Sequence, residues 1–203
     1  MRPDDFSHRH LGVQATLTVS GCTFTDNQAV GGKGNTGFPF VNEGIGGAID
    51  NTRGAVAKVT GSTFNGNQAI GGRGGTGQDG GVGLGGALAN VLGSTLTVSG
   101  CALSGNQAIG GAGVASADGG NGFGGGLYND GQSAVLILTS TITSNQATGG
   151  AAGSGGSAGQ GIGGGVYFAT GGTACLDLFT SLNITGNTAS TSTNDVFGLF
   201  AIC

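Results

Sequence analysis

Residues 85–108 read GGALANVLGSTLTVSGCALSGNQA, and both ends of this stretch recur along the chain at a nearly constant spacing. Its last three letters, Asn-Gln-Ala, also occur at residues 27–29, 67–69 and 145–147, with a degraded copy at 187–189. Its first four letters return every 39 residues, at 46–49, 124–127 and 163–166, as two glycines, a small residue and an aliphatic one. Two motifs that stay in phase over four periods indicate a repeat architecture.

The segments between the motifs favour strands. Apolar residues and threonines alternate over four or five positions, as at 95–99, and glycine or asparagine bounds each run. With 49 glycines in 203 residues and no helical stripe, helices are disfavoured. Two strand–turn units per period predict an all-β fold, a single-stranded parallel β-helix with two coils per period and about nine coils in total. At roughly 4.8 Å per coil, this solenoid would be about 45 Å long.

Stacked coils predict ladders of equivalent side chains along the axis. One inward ladder comprises Val19, Val59, Val98, Ile137 and Phe179. A second comprises Phe24, Phe64, Leu103, Ile142 and Ile184, and Ile49, Leu88, Leu127 and Val166 are expected to alternate with it. A third is a structural asparagine ladder, in which turn geometry and amide stacking are favoured over ligand binding; it comprises Asn27, Asn51, Asn67, Asn90, Asn106, Asn129, Asn145 and Asn187.

Glycine-rich inserts separate the two motifs of each period. All leave the repeat after Asn-Gln-Ala and return before the Gly-Gly pair, so they should project from one side of the solenoid and be dispensable for folding; they are residues 31–44, 71–83, 110–122 and 149–161. Inserts on one face often form a binding face, and a plain spacer is the alternative. The predicted organisation is a tail at 1–13, repeats at 14–190 and a cap or assembly segment at 191–203.

Composition excludes several classes of function. The net charge of −4 has the wrong sign for nucleic-acid binding. No stretch approaches 18 consecutive apolar residues, so membrane insertion is not expected. The charge is uneven, because all six cations lie within residues 1–73, which carry +1, whereas residues 74–203 carry −5.

The repeat motifs resemble those of a known family. The sequence FTDN at 24–27 and FNGN at 64–67 is similar to the FxxN motif of chlamydial polymorphic outer membrane proteins. GGAI at 46–49 and GGAL at 85–88 resemble the GGA(I/L/V) motif of that family. The resemblance covers roughly residues 15–190 and implies a right-handed parallel β-helix that is secreted and displayed on the bacterial surface as an adhesin passenger.

Catalytic chemistry has little support in the sequence. The two histidines, His8 and His10, lack a cysteine or carboxylate partner at ligand spacing, so no metal or other cofactor is predicted. Asp79 and Asp118 occupy equivalent insert positions, but they are expected to lie two coils, roughly 10 Å, apart. A polysaccharide-active β-helix enzyme is therefore the third hypothesis, after two that are not enzymatic.

The four cysteines fall into two pairs. Cys22 and Cys101 share one phase of the repeat and should lie four coils apart, too far for a disulfide, so free thiols are expected. Cys175 and Cys203 lie in the irregular last part of the chain. A disulfide between them would hold a C-terminal cap and would indicate an oxidising compartment.

The C-terminal segment distinguishes the two non-enzymatic functions, a self-assembling subunit and a monomeric binding module. Residues 196–203, VFGLFAIC, are apolar and belong to the negatively charged part of the chain, and Phe197, Leu199, Phe200 and Ile202 are the predicted assembly residues. We therefore expect a non-enzymatic subunit of a bacterial extracellular fibre or surface layer, whose partners are copies of itself stacked head to tail. The alternatives are that 196–203 folds back as a self-cap, and that the protein is a monomeric adhesin or binding module for surface glycans or ice, using the inserts.

Overall fold

The computed structural model describes residues 14–34 and 42–203 of the chain. These residues form a β-solenoid of about four turns in which every strand pairs with its neighbours in parallel. The described residues contain one short helix, Leu178–Leu182, near the C-terminus. The prediction of a parallel β-helix repeat is therefore confirmed at the level of the fold.

Each of the first four turns contributes one strand to each of five sheets, and the last part of the chain adds strands to four of the five. Sheet I contains the strands Thr16–Ser20, Val56–Thr60, Thr95–Ser99, Ala134–Leu138, Thr173–Leu176 and Ala201–Ile202. Sheet II contains Thr23–Thr25, Thr63–Asn65, Ala102–Ser104, Thr141–Thr143 and Ile184–Thr185. Sheet III contains Gln28–Val30, Gln68–Ile70, Gln107–Ile109, Gln146–Thr148 and Thr188–Ala189.

The two remaining sheets follow the insert in each turn. Sheet IV contains Gly44–Ile45, Gly83–Leu84, Gly122–Phe123 and Gly161–Ile162. Sheet V contains Ile49–Asn51, Leu88–Asn90, Leu127–Asn129, Val166–Phe168 and Val196–Phe197. After sheet V the chain enters sheet I again, one turn further along the axis.

The number of coils differs from the prediction. Val19 pairs with Val59, and Val59 pairs with Val98, so one 39- or 40-residue period makes one whole turn and not two coils. The prediction of nine coils is wrong, because both motifs of a period lie within the same turn on different sheets. Six stacked strands in sheet I span only about 24 Å along the axis, roughly half of the predicted length.

The core contains the expected inward ladders with two changes. Phe24, Phe64, Leu103, Ile142 and Ile184 pair in register along sheet II. In sheet I the residue after Ile137 is Leu176, which is fully buried, whereas Phe179 lies in the helix and is exposed. Ile49, Leu88, Leu127 and Val166 form their own ladder in sheet V and do not alternate with sheet II.

The asparagines form two ladders rather than the single predicted one. Asn27, Asn67, Asn106, Asn145 and Asn187 lie between sheets II and III, one in each turn. Asn51, Asn90 and Asn129 lie in sheet V, where Phe168 takes the next place. The spacings of 16 and 23 residues therefore lead from one ladder to the other. Together they make one complete turn of the solenoid.

Each buried amide of the first ladder is fully bonded. The Nδ2 group of Asn67 donates to Oδ1 of Asn106 at 2.9 Å and to the carbonyl oxygen of Phe24 at 3.0 Å. The backbone N–H of Asn67 donates to the same Oδ1 at 2.9 Å. Among the described residues, no buried side-chain nitrogen or oxygen lacks a partner, so the ladder ties adjacent turns together at no desolvation cost.

Replacing one rung of this ladder should destabilise the fold strongly. In Asn106→Ala, two N–H groups of Asn67 and the carbonyl oxygen of Phe64 lose their partner. Each buried polar group left unpaired costs about 1–3 kcal/mol, so we expect a loss of about 3 kcal/mol or more. The control is Gln107→Ala, which removes a half-buried amide of the outer surface. Equal losses for the two variants in denaturant unfolding would contradict the assigned role of the ladder.

Within the described residues, the glycine-rich inserts pack on one another. We call the outgoing and the returning segment of each insert its two legs. The legs exchange backbone hydrogen bonds within and between turns: the N–H of Gly120 donates to the carbonyl oxygen of Gly111 at 2.8 Å, and the N–H of Gly111 donates to that of Gly81 in the previous turn at 2.8 Å. Gly150 and Gly159 continue the same alternation. A Cβ atom at Gly111 would collide with the carbonyl oxygen of Gly72. The inserts thus form a backbone-bonded ridge, and glycine is needed because the legs approach so closely.

This packing replaces the expectation that the inserts are dispensable. We expect Gly111→Ala to lower the free energy of unfolding by about 1–3 kcal/mol, because the added methyl group forces the legs apart. The control is Ala115→Val at an exposed insert position, which should change stability by less than about 0.5 kcal/mol. A neutral Gly111→Ala variant in thermal or urea unfolding would show that the ridge contributes nothing to folding.

Candidate functional site

A cleft in the described surface lies where sheets IV and V meet in the first three turns. Its volume is about 670 Å³, within the usual range for small-ligand sites. The lining combines apolar residues with four charged side chains; the lining residues are Glu43, Ile45, Asp50, Thr52, Arg53, Val82, Leu84, Val91, Leu92, Phe123, Tyr128 and Asp130.

Two outward rows of side chains build this surface. The row on sheet V is Asp50, Ala89, Tyr128, Tyr167 and Phe197, one residue per turn. The row on sheet IV is Ile45, Leu84, Phe123 and Ile162. A sharp turn joins the two sheets at Gly85, where φ is +63° and a Cβ would meet the carbonyl oxygen of Leu88. The Gly-Gly motif therefore brings the two rows face to face.

Aromatic rings fill the sheet V row from the third turn onward, and Phe123 adds one ring from the sheet IV row. Tyr128 and Tyr167 stack with ring centroids 5.4 Å apart, and Tyr167 and Phe197 stack at 4.6 Å. Phe123 of the neighbouring row lies 4.8 Å from Tyr167. In the second turn the corresponding residue of sheet V is Ala89. The stack of rings therefore ends at Tyr128, and the cleft begins there.

Charged groups lie at both ends of the cleft: Glu43, Asp50 and Arg53 in the first turn, and Asp130 beside Tyr128 in the third. Burial raises the pKa of Glu43, and burial also raises the pKa of Asp50, an effect that the nearby Arg53 guanidinium opposes. Asp130 is held in place, because its carboxylate accepts hydrogen bonds from the backbone N–H groups of Leu92 at 2.7 Å and Gln132 at 3.0 Å. With three carboxylates and one guanidinium, the ionised cleft carries a net charge of −2.

The tyrosines of the chain both belong to this aromatic stack. The sequence contains two tyrosines, Tyr128 and Tyr167, and no tryptophan. Burial, reinforced by Tyr167, Asp130 and Glu43, raises the pKa of Tyr128 to about 12, and burial also raises the pKa of Tyr167. Tyrosine absorbance and fluorescence of this protein therefore report on one region only.

An alkaline titration tests this arrangement. In the native protein, ionisation of Tyr128 should be centred near pH 12, whereas the unfolded chain should titrate near pH 10. Because the folded state holds the proton more tightly, its unfolding free energy should fall as the pH rises from about 10 towards the folded pKa. Absorbance at the tyrosinate band, recorded on native and on unfolded protein, measures the two titration midpoints. In Tyr167→Phe the remaining tyrosine is Tyr128, so its titration is observed alone. A native midpoint near 10 in that variant would contradict the buried stack.

The C-terminal segment folds back over the last turn. Val196–Phe197 adds to sheet V and Ala201–Ile202 adds to sheet I, and Cys203 is bonded to Cys175 with their Cα atoms 5.9 Å apart. The structure thus joins the cysteine pair that the sequence predicted. Cys22 and Cys101 are free thiols, and they lie two turns apart rather than the predicted four. Residues 196–203 therefore lie folded back on the last turn, as the self-cap alternative expects.

The cap leaves many apolar side chains in solvent. Of the four predicted assembly residues, Phe197 stacks on Tyr167, whereas Leu199, Phe200 and Ile202 are 93%, 37% and 58% exposed. The short helix beside the cap exposes three more residues, which the sequence analysis missed: Leu178, Phe179 and Leu182. We call these six exposed residues the end patch. A helix after Asp177, which caps it by accepting from Thr180 N–H, could have been suspected from the cap residue alone.

Asp195 closes the first asparagine ladder at this end. Its Oδ1 atom accepts from the backbone N–H of Asn187 at 3.0 Å and from Nδ2 of Asn187 at 2.8 Å. It therefore takes the acceptor role that an asparagine of a further turn would have. An ionised carboxylate has no N–H to donate onward, so the ladder ends here.

The residues weighed for chemistry are not brought together as a catalytic or metal site. Asp79 and Asp118 lie on adjacent turns, not two coils apart, and Oδ1 of Asp79 accepts from the backbone N–H of Asp118 at 2.8 Å. Asp118 in turn accepts from the N–H of Ser157 at 2.6 Å, so both acids fasten neighbouring inserts. Within residues 14–34 and 42–203, no cluster of three or more potential metal ligands occurs. His8 and His10 lie outside the described residues.

The described part of the chain contains no helix with the length and apolar character to cross a bilayer. No protein-family model, curated protein or solved structure matches this sequence. The similarity to the chlamydial polymorphic outer membrane proteins therefore stays a prediction based on the repeat motifs, and the functional argument depends on the surfaces themselves.

Proposed function

We propose that this protein is a non-enzymatic structural subunit of a bacterial extracellular fibre or surface layer, and that its copies stack head to tail. The end patch is the observation that carries the proposal. Six of the nine large hydrophobic side chains that are exposed in the described residues belong to it. Apolar surface concentrated in one place favours association.

The distribution of charge selects the surface that covers the patch. Residues 74–203 contain five aspartates and no lysine or arginine, so two end patches would meet with like charge around them. The cations of the described residues are Lys33, Arg53, Lys58 and Arg73, all in the first two turns. Contact between the end patch and the first turn of a second copy is therefore favoured electrostatically over contact between two end patches.

The first turn offers a matching surface within the described residues. Leu17 points inward like Ala57 of the second turn, but Leu17 is 43% exposed whereas Ala57 is fully buried. Asn27 is likewise exposed, whereas Asn67 is buried. A contact between these unlike surfaces does not close on itself, so it produces a filament.

Asp195 defines the kind of contact that is proposed. Because it ends the asparagine ladder with an acceptor, a second copy cannot continue that ladder with its Asn27 amide oxygen. The end patch, rather than an unbroken ladder, therefore carries the association. The Cys175–Cys203 disulfide beside the patch supports an oxidising, extracellular location.

Sedimentation velocity of the full chain tests the proposal. The protein should form a concentration-dependent series of oligomers at low salt, and added salt should shorten the series because it screens the attraction between unlike ends. The double variant Leu199→Asp, Ile202→Asp should stay monomeric under the same conditions. Both positions are exposed, so circular dichroism and the melting temperature should be little changed.

A charge-matched control separates the patch from the added charge. Ala115→Asp with Ala152→Asp adds two negative charges at exposed insert positions, and this variant should assemble like the parent. Monomeric parent protein at high concentration and low salt would overturn the proposal. Assembly that is equally lost in both double variants would overturn the role of the end patch.

A further inference from the structure

We propose that the cleft between sheets IV and V binds a protonated amino sugar of a glycan chain. The inference does not depend on stacking of subunits, because every residue that lines the cleft belongs to the first three turns of one chain. It also places the binding surface beside the glycine-rich ridge rather than on it.

The cleft begins where the aromatic stack ends. Tyr167 and Phe197 continue the stack beyond Tyr128, so one ring face of Tyr128 is already covered. On the opposite side the sheet V row continues with Ala89 and then Asp50. The methyl group of Ala89 is too short to cover a tyrosine ring. The outer part of the Tyr128 ring therefore borders the cleft, two turns or about 10 Å from Asp50 along the axis.

This spacing suits a ring-shaped ligand. A single saturated ring fits between the ring of Tyr128 and the carboxylate of Asp50, above the apolar floor made by Leu84 and Val91. The C–H face of a pyranose is apolar and the face of an aromatic ring is electron-rich, so the two attract each other. The hydroxyl groups at the rim of the sugar remain in contact with water and with Thr52.

The charge of the cleft determines which sugar it favours. Glu43, Asp50 and Asp130 outweigh Arg53 and leave a net charge of −2, which opposes uronic acids and sulfated sugars. A protonated amine is attracted both by these carboxylates and by the ring faces of Tyr128 and Phe123, since a cation over an aromatic face gains about 0.5–2 kcal/mol. An amino sugar combines the apolar ring face with that amine, whereas its N-acetylated form has lost the charge.

Titration calorimetry with a short glucosamine oligomer as the probe tests the inference. The N-acetylated oligomer and a glucose oligomer of the same length and linkage are the matched ligands. We expect the glucosamine oligomer to bind at least about tenfold more tightly than either, a difference of about 1.4 kcal/mol. Tyrosine fluorescence should change on binding, because both tyrosines lie in the adjoining stack.

Variants of the chain identify the cleft as the site. Asp50→Asn keeps the size of the side chain but removes its charge at the cleft, and it should weaken binding of the glucosamine oligomer about fivefold or more. Tyr128→Ala should weaken it about tenfold or more, whereas Tyr128→Phe keeps the ring and should bind like the parent. Phe179→Ala removes an exposed aromatic ring far from the cleft and should have no effect on affinity.

Three results would overturn the inference. One is equal affinity for the charged and N-acetylated oligomers, which removes the role of the carboxylates. Another is equal affinity for a simple quaternary amine such as choline, which removes the role of the sugar ring. The third is absence of binding to the parent protein. None of these results bears on assembly, since sedimentation of the same samples reports stacking separately.

Discussion

The hydrogen bonds that join each turn of the chain to the next are the constraint on which the whole structure depends. Parallel strands that are two to five residues long have little stability of their own, so each turn needs its neighbours. The buried asparagines also fix the register in which one turn stacks on the next. Asn67 finds its acceptor only when Asn106 lies directly above it, and a shift by one residue would bury unpaired amides.

A strict register has consequences far from the ladder itself. When every turn superposes on the previous one, each outward side chain also superposes on its counterpart, so one change of residue type in a row becomes a feature of the surface. The sheet V row runs from Asp50 through Ala89 to Tyr128 and Tyr167. The aromatic stack of this row ends at Tyr128, and the carboxylate of Asp50 and the ring of Tyr128 both line the cleft.

The same register relates the two proposed surfaces. The end patch lies at the end of the solenoid where Asp195 ends the ladder, and the cleft lies along the side of the first three turns. A filament of such subunits would present one cleft per copy along its length. Weak binding of a single amino sugar would then be strengthened by multivalent contact with a long glycan, which connects the structural and the adhesive expectations.

Much of the fold was predictable from the sequence because its information is local and periodic. The alternation at 95–99, the recurrent Asn-Gln-Ala and the Gly-Gly pairs identify strands, turns and a repeat without knowledge of distant contacts. The 39-residue spacing of Tyr128 and Tyr167 was equally visible and would have predicted their stacking. The Cys175–Cys203 pair and the apolar end were identified because they depart from the repeat.

The tertiary structure alone decided how many strands make a turn. The sequence of a short strand does not determine the angle at which the chain bends after it. One turn of five strands and two coils of fewer strands therefore give the same 39-residue period. That choice places Asn67 and Asn90 in separate ladders on two sides of one turn, and it brings Asp79 next to Asp118. It also determines the glycine ridge and the cleft, because both arise from backbone legs and side-chain rows that become neighbours only when the turns are stacked.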